Sequence, residues 1–316
     1  MRHRISIITI GLSPAWDITC RGKHLDWGLH RDINEQTILP AGKTLNVSKA
    51  LAWMGQRNIA AGLWGRSDHR QMLTAVRNSW SSIKVKMTAV SGSTRRNITV
   101  VDTANEKELH LRNKSQLASA KSLKKLQADL EAIVHRGSFC VFAGTMPETG
   151  LLEDVIRIIK SCAGLGAKIV LDTSGNALRQ IVNTGSAWLI KPNVEELCEL
   201  SGEQIKDAPA SLAAAGRKLL DRVEIVLISR GGKGSLVVTK EGAWHGRCVG
   251  RRRVLSTVGC GDFLLAGFLK GLKDKSDARS ALKIAIKVAT AKAWGWTETK
   301  TWSQALREIK VAVERV

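Results

Sequence analysis

The residues Ser256-Thr-Val-Gly-Cys-Gly-Asp262 run directly into an apolar stretch, 263–269. Glycines at 259 and 261 allow a tight turn that aims successive backbone N–H groups at one point, where the dipole of the following helix also favours negative charge. A phosphate suits that point. Asp262 beside it cannot be there to bind the phosphate, because two anions repel; its natural task is to take a proton from an attacking hydroxyl. The stretch therefore reads as phosphoryl-transfer chemistry. The plainer reading is an ordinary helix start with Asp as its cap, and seven residues alone do not separate the two.

Such a turn needs a rigid frame. Short apolar runs at 5–10, 139–142, 168–171, 188–190, 225–228 and 236–238 read as buried strands. Val47, Ala50, Leu51 and Met54 fall on one helical face that Gly55 stops, and further helical periodicity lies near 116–134, 151–164, 208–220 and 281–293. This alternation predicts an α/β fold with a mainly parallel central sheet and helices on both faces. Polar and glycine residues gather where the strands end: Ala-Gly144, Asp172, Lys191-Pro-Asn193 and Ser229-Arg-Gly-Gly232 collect at carboxyl ends, the edge where open α/β sheets bind ligands. Residues 18–40 and 84–111 fit the alternation less well. They are expected to form a small antiparallel lid that excludes water from the transfer.

A chain of 316 residues with 44% hydrophobic content can bury one large α/β core or two smaller ones. The six cysteines, at 20, 140, 162, 198, 248 and 260, include no C-x-x-C pair, so neither a zinc site nor a disulfide framework is indicated and a cytoplasmic location fits. The basic start followed by residues 5–12 is too short for a signal peptide and has a poor cleavage site. No run approaches the roughly 18 apolar residues that span a bilayer. The 49 Lys+Arg against 28 Asp+Glu give a net charge of +21, a field that attracts anions. Nucleic acid is one such anion, but the basic residues are scattered and aromatics are only 4%, which argues against a base-stacking surface. ATP and a sugar phosphate are others. Arg251-Arg-Arg253 is the one basic cluster close in sequence to the glycine turn.

Five motifs in order, Ser13-Pro-Ala-Trp-Asp17, Ala41-Gly-Lys-Thr-Leu-Asn-Val47, Lys191-Pro-Asn193 with Glu196, Ser229-Arg-Gly-Gly-Lys-Gly234 and Thr257-Val-Gly-Cys-Gly-Asp262, resemble the PfkB-type, ribokinase-like sugar kinases, within them the branch of 1-phosphofructokinase and tagatose-6-phosphate kinase. The resemblance covers essentially the whole chain. It implies one ribokinase-like three-layer domain over 1–316, with lid segments near 13–40 and 84–112. It implies ATP as donor, Asp262 as general base, and the N–H groups of Gly259, Cys260 and Gly261 as stabilisers of the transferred phosphoryl group. Asn193 and Glu196 would hold Mg2+ near the ATP phosphates, although Asn-x-x-Glu is equally a helix cap with a capping-box Glu. Ser229, Gly231 and Gly234 would shape the nucleotide pocket, with Lys191 near the phosphates.

At the sugar end the resemblance implies Asp17 and Asn46 on hydroxyls, Gly42 for close backbone approach, and Lys43 with Arg95 gripping a phosphate already on the substrate. Without the motifs, Lys43 and Arg95 would read as solvated surface cations. Asp172 and Ser174 read equally as groups behind the site or as a strand end and a cap, and are set aside. Four departures stand out: Ser13, Thr44, Arg230 and Phe263. Thr44 and Phe263 add bulk beside the sugar-phosphate loop and after Asp262, and are expected to shift substrate choice. Cys260 reads as a filler. The expected reaction is ATP-dependent phosphorylation of fructose 1-phosphate to fructose 1,6-bisphosphate, with tagatose 6-phosphate as the neighbouring substrate. A non-catalytic sugar-phosphate or nucleic-acid binder on the same fold is the reading from another class. A homodimer is compatible with all of these.

Overall fold

The apolar runs close into a ten-stranded sheet. In the computed structural model, which describes residues 6–147, 149–250, 252–274 and 276–316, the first half contains β1 (Ile7–Gly11), β2 (Ala15–Gly22), β3 (Glu35–Ala41), α1 (Lys43–Trp53), β4 (Asn58–Gly65), α2 (His69–Ser79), β5 (Ile83–Val90), β6 (Arg95–Asp102), β7 (Lys107–Arg112) and α3 (Ala120–Glu131). The second half contains β8 (Phe139–Ala143), α4 (Leu152–Gly164), β9 (Lys168–Asp172), α5 (Gly175–Asn183), β10 (Leu189–Ile190), α6 (Val194–Ser201), α7 (Pro209–Lys218), β11 (Ile225–Ser229), β12 (Ser235–Thr239), β13 (Gly242–Val249), α8 (Cys260–Lys273), α9 (Ala278–Ala293) and β14 (Lys310–Arg315). Ile5 of the first expected strand and Arg251 of the basic cluster lie outside the described residues.

The central order is β14-β13-β12-β11-β10-β9-β8-β1-β4-β5. Strands β5 to β11 along this order run parallel, and β12, β13 and β14 add an antiparallel margin. Side chains alternate across a strand, and β1 shows the result. Ile8 and Ile10 join the core under α3, α4, α5 and α7, whereas Ile7 joins the core under α1, α8 and α9. Thr9, on the second face, meets Ser48 of α1 at 2.7 Å, so its buried hydroxyl is satisfied. The carboxyl ends of the parallel strands are thereby held at one edge by packing on both sides.

A second sheet, β3-β2-β6-β7, stands at that edge. It corrects the expected lid in two ways. Residues 84–90 lie in β5, the edge strand of the central sheet, where Lys84 and Lys86 face solvent while Ile83 packs with Met72 and Val76 of α2. One-sided burial gives an edge strand the alternation expected of a lid. The small sheet is also not wholly antiparallel, because β2 and β6 pair in parallel between two antiparallel outer strands.

Candidate active site

Two helix starts hold many of the expected site residues. Gly42, with φ of 115°, precedes α1 in a conformation that other residues rarely adopt, so glycine suits the position. Lys43 then opens the helix. Gly259, with φ of 78°, precedes α8 in the left-handed helical region. The first-turn N–H groups of α8 have no partner within the helix. Of the three expected anion binders, Cys260 turns its N–H back to Thr257 O at 3.3 Å, a closure of the turn that sequence reasoning missed. Burial pushes the Cys260 thiol up, in keeping with a filler.

Asp262 sits on the first turn of α8, only 5% exposed, and Asn46 Nδ2 donates to its Oδ2 at 2.8 Å. Burial, and then the neighbouring Asp172 carboxylate, push Asp262 up to about 7, against the opposing pull of the Asn46 bond, Lys43 and Lys191. Asp172, set aside from sequence, proves central. At 1% exposure, its Oδ1 meets both Lys43 Nζ at 3.3 Å and Lys191 Nζ at 3.2 Å. Its Oδ2 has no hydrogen-bond partner among the described residues. Lys43 feels burial most, which lowers it, but Asp172, Asp262 and Glu196 together outweigh that and leave it raised and charged.

These groups line a cavity of about 430 Å³ whose outer wall is the small sheet. Asp17, Asn97 and Arg112 are register neighbours on β2, β6 and β7 and share the face turned to it. Asn97 Nδ2 donates to Asp17 Oδ1 at 2.7 Å. Arg95 also lines the cavity, but its fork is largely committed: Nε donates to Pro14 O at 3.3 Å, one terminal nitrogen to Asn97 Oδ1 and Asn113 O at 3.1 Å each, and the other to Ser13 O at 3.2 Å. Arg112 and Asn97 carried no local signal in the sequence; only strand register brings them here.

A second cavity, of about 510 Å³, lies on the other side of the glycine turn and is lined by Ser229, Gly231, Gly234, Arg252, Thr257, Cys260 and Trp294 among others. Gly261 belongs to both walls, and a Cβ there would stand 3.4 Å from Lys191 Nζ. Gly234 is required, since a Cβ would fall 2.1 Å from Gly246 O. Asn193 caps α6 and bridges to Ser229. The capping box is complete: Glu196 N donates to Asn193 Oδ1 at 2.7 Å and Asn193 N to Glu196 Oε2 at 2.9 Å. Glu196 Oε1 takes no part in the box.

The departures resolve unevenly. Phe263 is 7% exposed and packs in the core between α1, α8 and α9, lining neither cavity, which corrects the expectation that it bears on substrate choice. Thr44 lines the first cavity but is 3% exposed, and its hydroxyl occupies the space a Cβ on Gly11 would fill. Arg230 turns away from the second cavity to Asp207, with Nε donating to Oδ1 at 2.7 Å. Ser13 offers its carbonyl to Arg95.

The model of the pfkB family carbohydrate kinases matches residues 16–293. The 1-phosphofructokinase of Haemophilus influenzae is 28% identical over 288 residues, 90% of this chain and 90% of its own. That of Bacillus subtilis is 27% identical over 309 residues, 96% of this chain and 99% of its own. The structure of phosphofructokinase-2 from Escherichia coli in complex with potassium superposes with a TM-score of 0.86 at 20% identity, covering 96% of this chain and 97% of that one, which bears out the ribokinase-like fold. Among the described residues no helix is long and apolar enough to cross a membrane. The chain belongs to the pfkB family of carbohydrate kinases, and it is a phosphotransferase with an alcohol group as acceptor.

Proposed function

We propose that the chain transfers the γ-phosphoryl group of ATP to the 6-hydroxyl of fructose 1-phosphate, giving fructose 1,6-bisphosphate and ADP. The observation that carries this reading is Asp262 in a cavity with lysine and arginine for a sugar phosphate, next to Gly261, which that cavity shares with one that has a glycine wall for a nucleotide. The curated relatives named 1-phosphofructokinase support the substrate. Asp17, with Asn46, receives sugar hydroxyls. Lys43 and Arg112, with the remaining N–H of Arg95, meet the phosphate already on the substrate. Ser229, Gly231 and Gly234 shape the nucleotide side. The scattered cysteines support a cytoplasmic setting.

In the transfer, Asp262 takes the proton of the attacking hydroxyl, whose oxygen bonds to the γ-phosphorus as the bond to the ADP oxygen breaks. N–H groups of Gly259 and Gly261, at the positive end of α8, face the charge that develops on the phosphoryl oxygens. Lys191, beside Gly261 and anchored on Asp172, adds a fixed positive charge. The small sheet closes the sugar side and keeps water from competing as acceptor. For a divalent cation, Oε1 of Glu196, which takes no part in the capping box, and Oδ2 of Asp172, without a partner among the described residues, are hard oxygen donors of the kind Mg2+ takes. Such an ion, when bound with water and phosphate oxygens, supplies neutralisation of phosphate charge. Among the described residues no cluster of three or more His, Cys, Asp or Glu side chains is grouped to hold a metal, so phosphate oxygens would complete the shell.

The test is a coupled assay of ADP release over free sugars and sugar phosphates. Fructose 1-phosphate is expected to give the highest kcat/KM. A preference for tagatose 6-phosphate would replace the substrate within the same chemistry, and turnover of free sugars alone would overturn the reading.

A further inference from the structure

Asp68 lies outside both cavities and has no assigned task. It occupies the cap position of α2, yet its side chain makes no hydrogen bond to that helix. Asp is favoured at that position because its carboxylate satisfies a first-turn N–H, so a carboxylate turned elsewhere points to another use. Its two oxygens instead collect three donors, one from β2 and two from the residue that leads into β6. Trp16 Nε1 donates to Oδ2 at 2.6 Å, Thr94 N lies 3.2 Å from Oδ2 and 3.3 Å from Oδ1, and Thr94 Oγ1 donates to Oδ1 at 3.2 Å. Trp16 and Thr94 are each 3% exposed. They immediately precede Asp17 and Arg95.

We propose that Asp68 is the positioning residue of the sugar-phosphate end, fixing Asp17 and Arg95 through the two residues that precede them. The inference rests on the assignment of that end under the proposed function. Strand alternation supplies the lever: with Trp16 turned into the body, where it meets Trp64 edge to face at 5.6 Å, Asp17 must turn to the cavity. One carboxylate therefore sets the roots of both β2 and β6 relative to the central sheet against which α8, with Asp262 on its first turn, is packed. The joint is tight. Gly65, at the end of β4, would place a Cβ 2.5 Å from Thr94 N, and its own N–H donates to Thr94 Oγ1 at 3.0 Å. Ser67 Oγ adds a bond to Gly92 O at 2.9 Å, which keeps the segment attached when Asp68 is changed. The nucleotide-side cavity takes no wall from the small sheet, so nucleotide binding should not depend on Asp68.

The experiment compares wild type, Asp68→Asn and Trp16→Phe for the KM of each substrate, kcat and melting temperature. Asparagine keeps one acceptor for Thr94 but presents N–H to the indole; phenylalanine keeps the ring and removes the donor. Both variants should raise the sugar-phosphate KM and lower kcat by roughly tenfold or more, since about 1 Å of misplacement can cost on the order of a hundredfold. Nucleotide KM should stay within about twofold. The double variant should be no worse than Asp68→Asn alone, because both remove one bond. Equal loss at both substrates, or no change in the sugar-phosphate KM, overturns the inference. If wild type phosphorylates no sugar phosphate, the functional reading fails separately. Hydrogen exchange then decides: Asp68→Asn should speed exchange in β2 and β6 and leave β8 and β9 unchanged, and unchanged β2 and β6 would overturn it.

Discussion

Asn46 on α1 holds Oδ2 of Asp262 on α8 at 2.8 Å, so one bond between two helix starts aims the carboxylate. The carboxyl is pushed up to about 7, chiefly by burial and then by Asp172. A base works deprotonated, so kcat/KM should climb as pH rises through 7 and level off above it. Asp262→Asn should lose roughly a hundredfold to ten-thousandfold in turnover, while nucleotide affinity measured by calorimetry persists. Substantial remaining turnover would remove Asp262 as the base.

The same burial has a consequence for stability. Asp262 carries a folded pKa of about 7 against an ordinary 3.8. A raised carboxyl contributes its stability below the unfolded value, and that contribution is lost as pH rises through the folded one. The difference is on the order of 4 kcal/mol. Asparagine, able to accept from Asn46 without charge, should therefore melt higher than wild type at pH 8. The gap should narrow from pH 7 downward and close near 4, as followed by thermal melts across pH.

Arg95 and Arg112 line the same cavity but are spent differently. Arg112→Ala should raise the sugar-phosphate KM with little change in melting temperature. Arg95→Ala leaves the carbonyls of Ser13, Pro14 and Asn113 without their donor, so both the KM and the melting temperature should suffer. Paired kinetics and melts separate the two.

For Glu196 the substitution chosen decides what is learned. Glutamine keeps an oxygen for the N–H of Asn193 and removes the charge, so Glu196→Gln should need more Mg2+ for half-maximal rate at an unchanged melting temperature. Alanine also removes the reciprocal bond from Asn193 N, a contribution of about 1 kcal/mol, and leaves the Asn193 cap itself in place. A Mg2+ titration with both variants checks this; equal melting losses would mean that the glutamine does not keep the box.

Phe263→Ala should destabilise by about 3–5 kcal/mol, as truncation of a buried ring does. Denaturant unfolding reads that loss directly. The ratio of kcat/KM between fructose 1-phosphate and tagatose 6-phosphate should stay as in wild type, because the ring reaches neither cavity.

What the sequence disclosed was local. The glycine turn, the Asn193 and Glu196 spacing and the polar strand ends are each written within a few residues, and strand ends share an edge whenever strands run parallel. Asp172 escaped because its meaning comes from Lys43 and Lys191, which reach it from a distant helix start and a neighbouring strand. Arg112 and Asp68 depend on register and on a second sheet, which periodicity does not encode. Strand β5 misled because an edge strand and a lid strand are both half wet. Phe263 misled because its position after Asp262 placed it near the chemistry along the chain, while the helical turn carries its ring into the core.

Ten tryptophans and no tyrosine give this chain an optical property of its own. Its intrinsic emission belongs to indoles, and those indoles are distributed by task. Trp294 stands in the nucleotide-side wall, whereas Trp16 stands with Trp64 at the root of the small sheet. Under the proposed function the two substrates would address different fluorophores. Reading wild type beside Trp294→Phe resolves, in one light signal, the filling of one cavity from the settling of the sheet over the other.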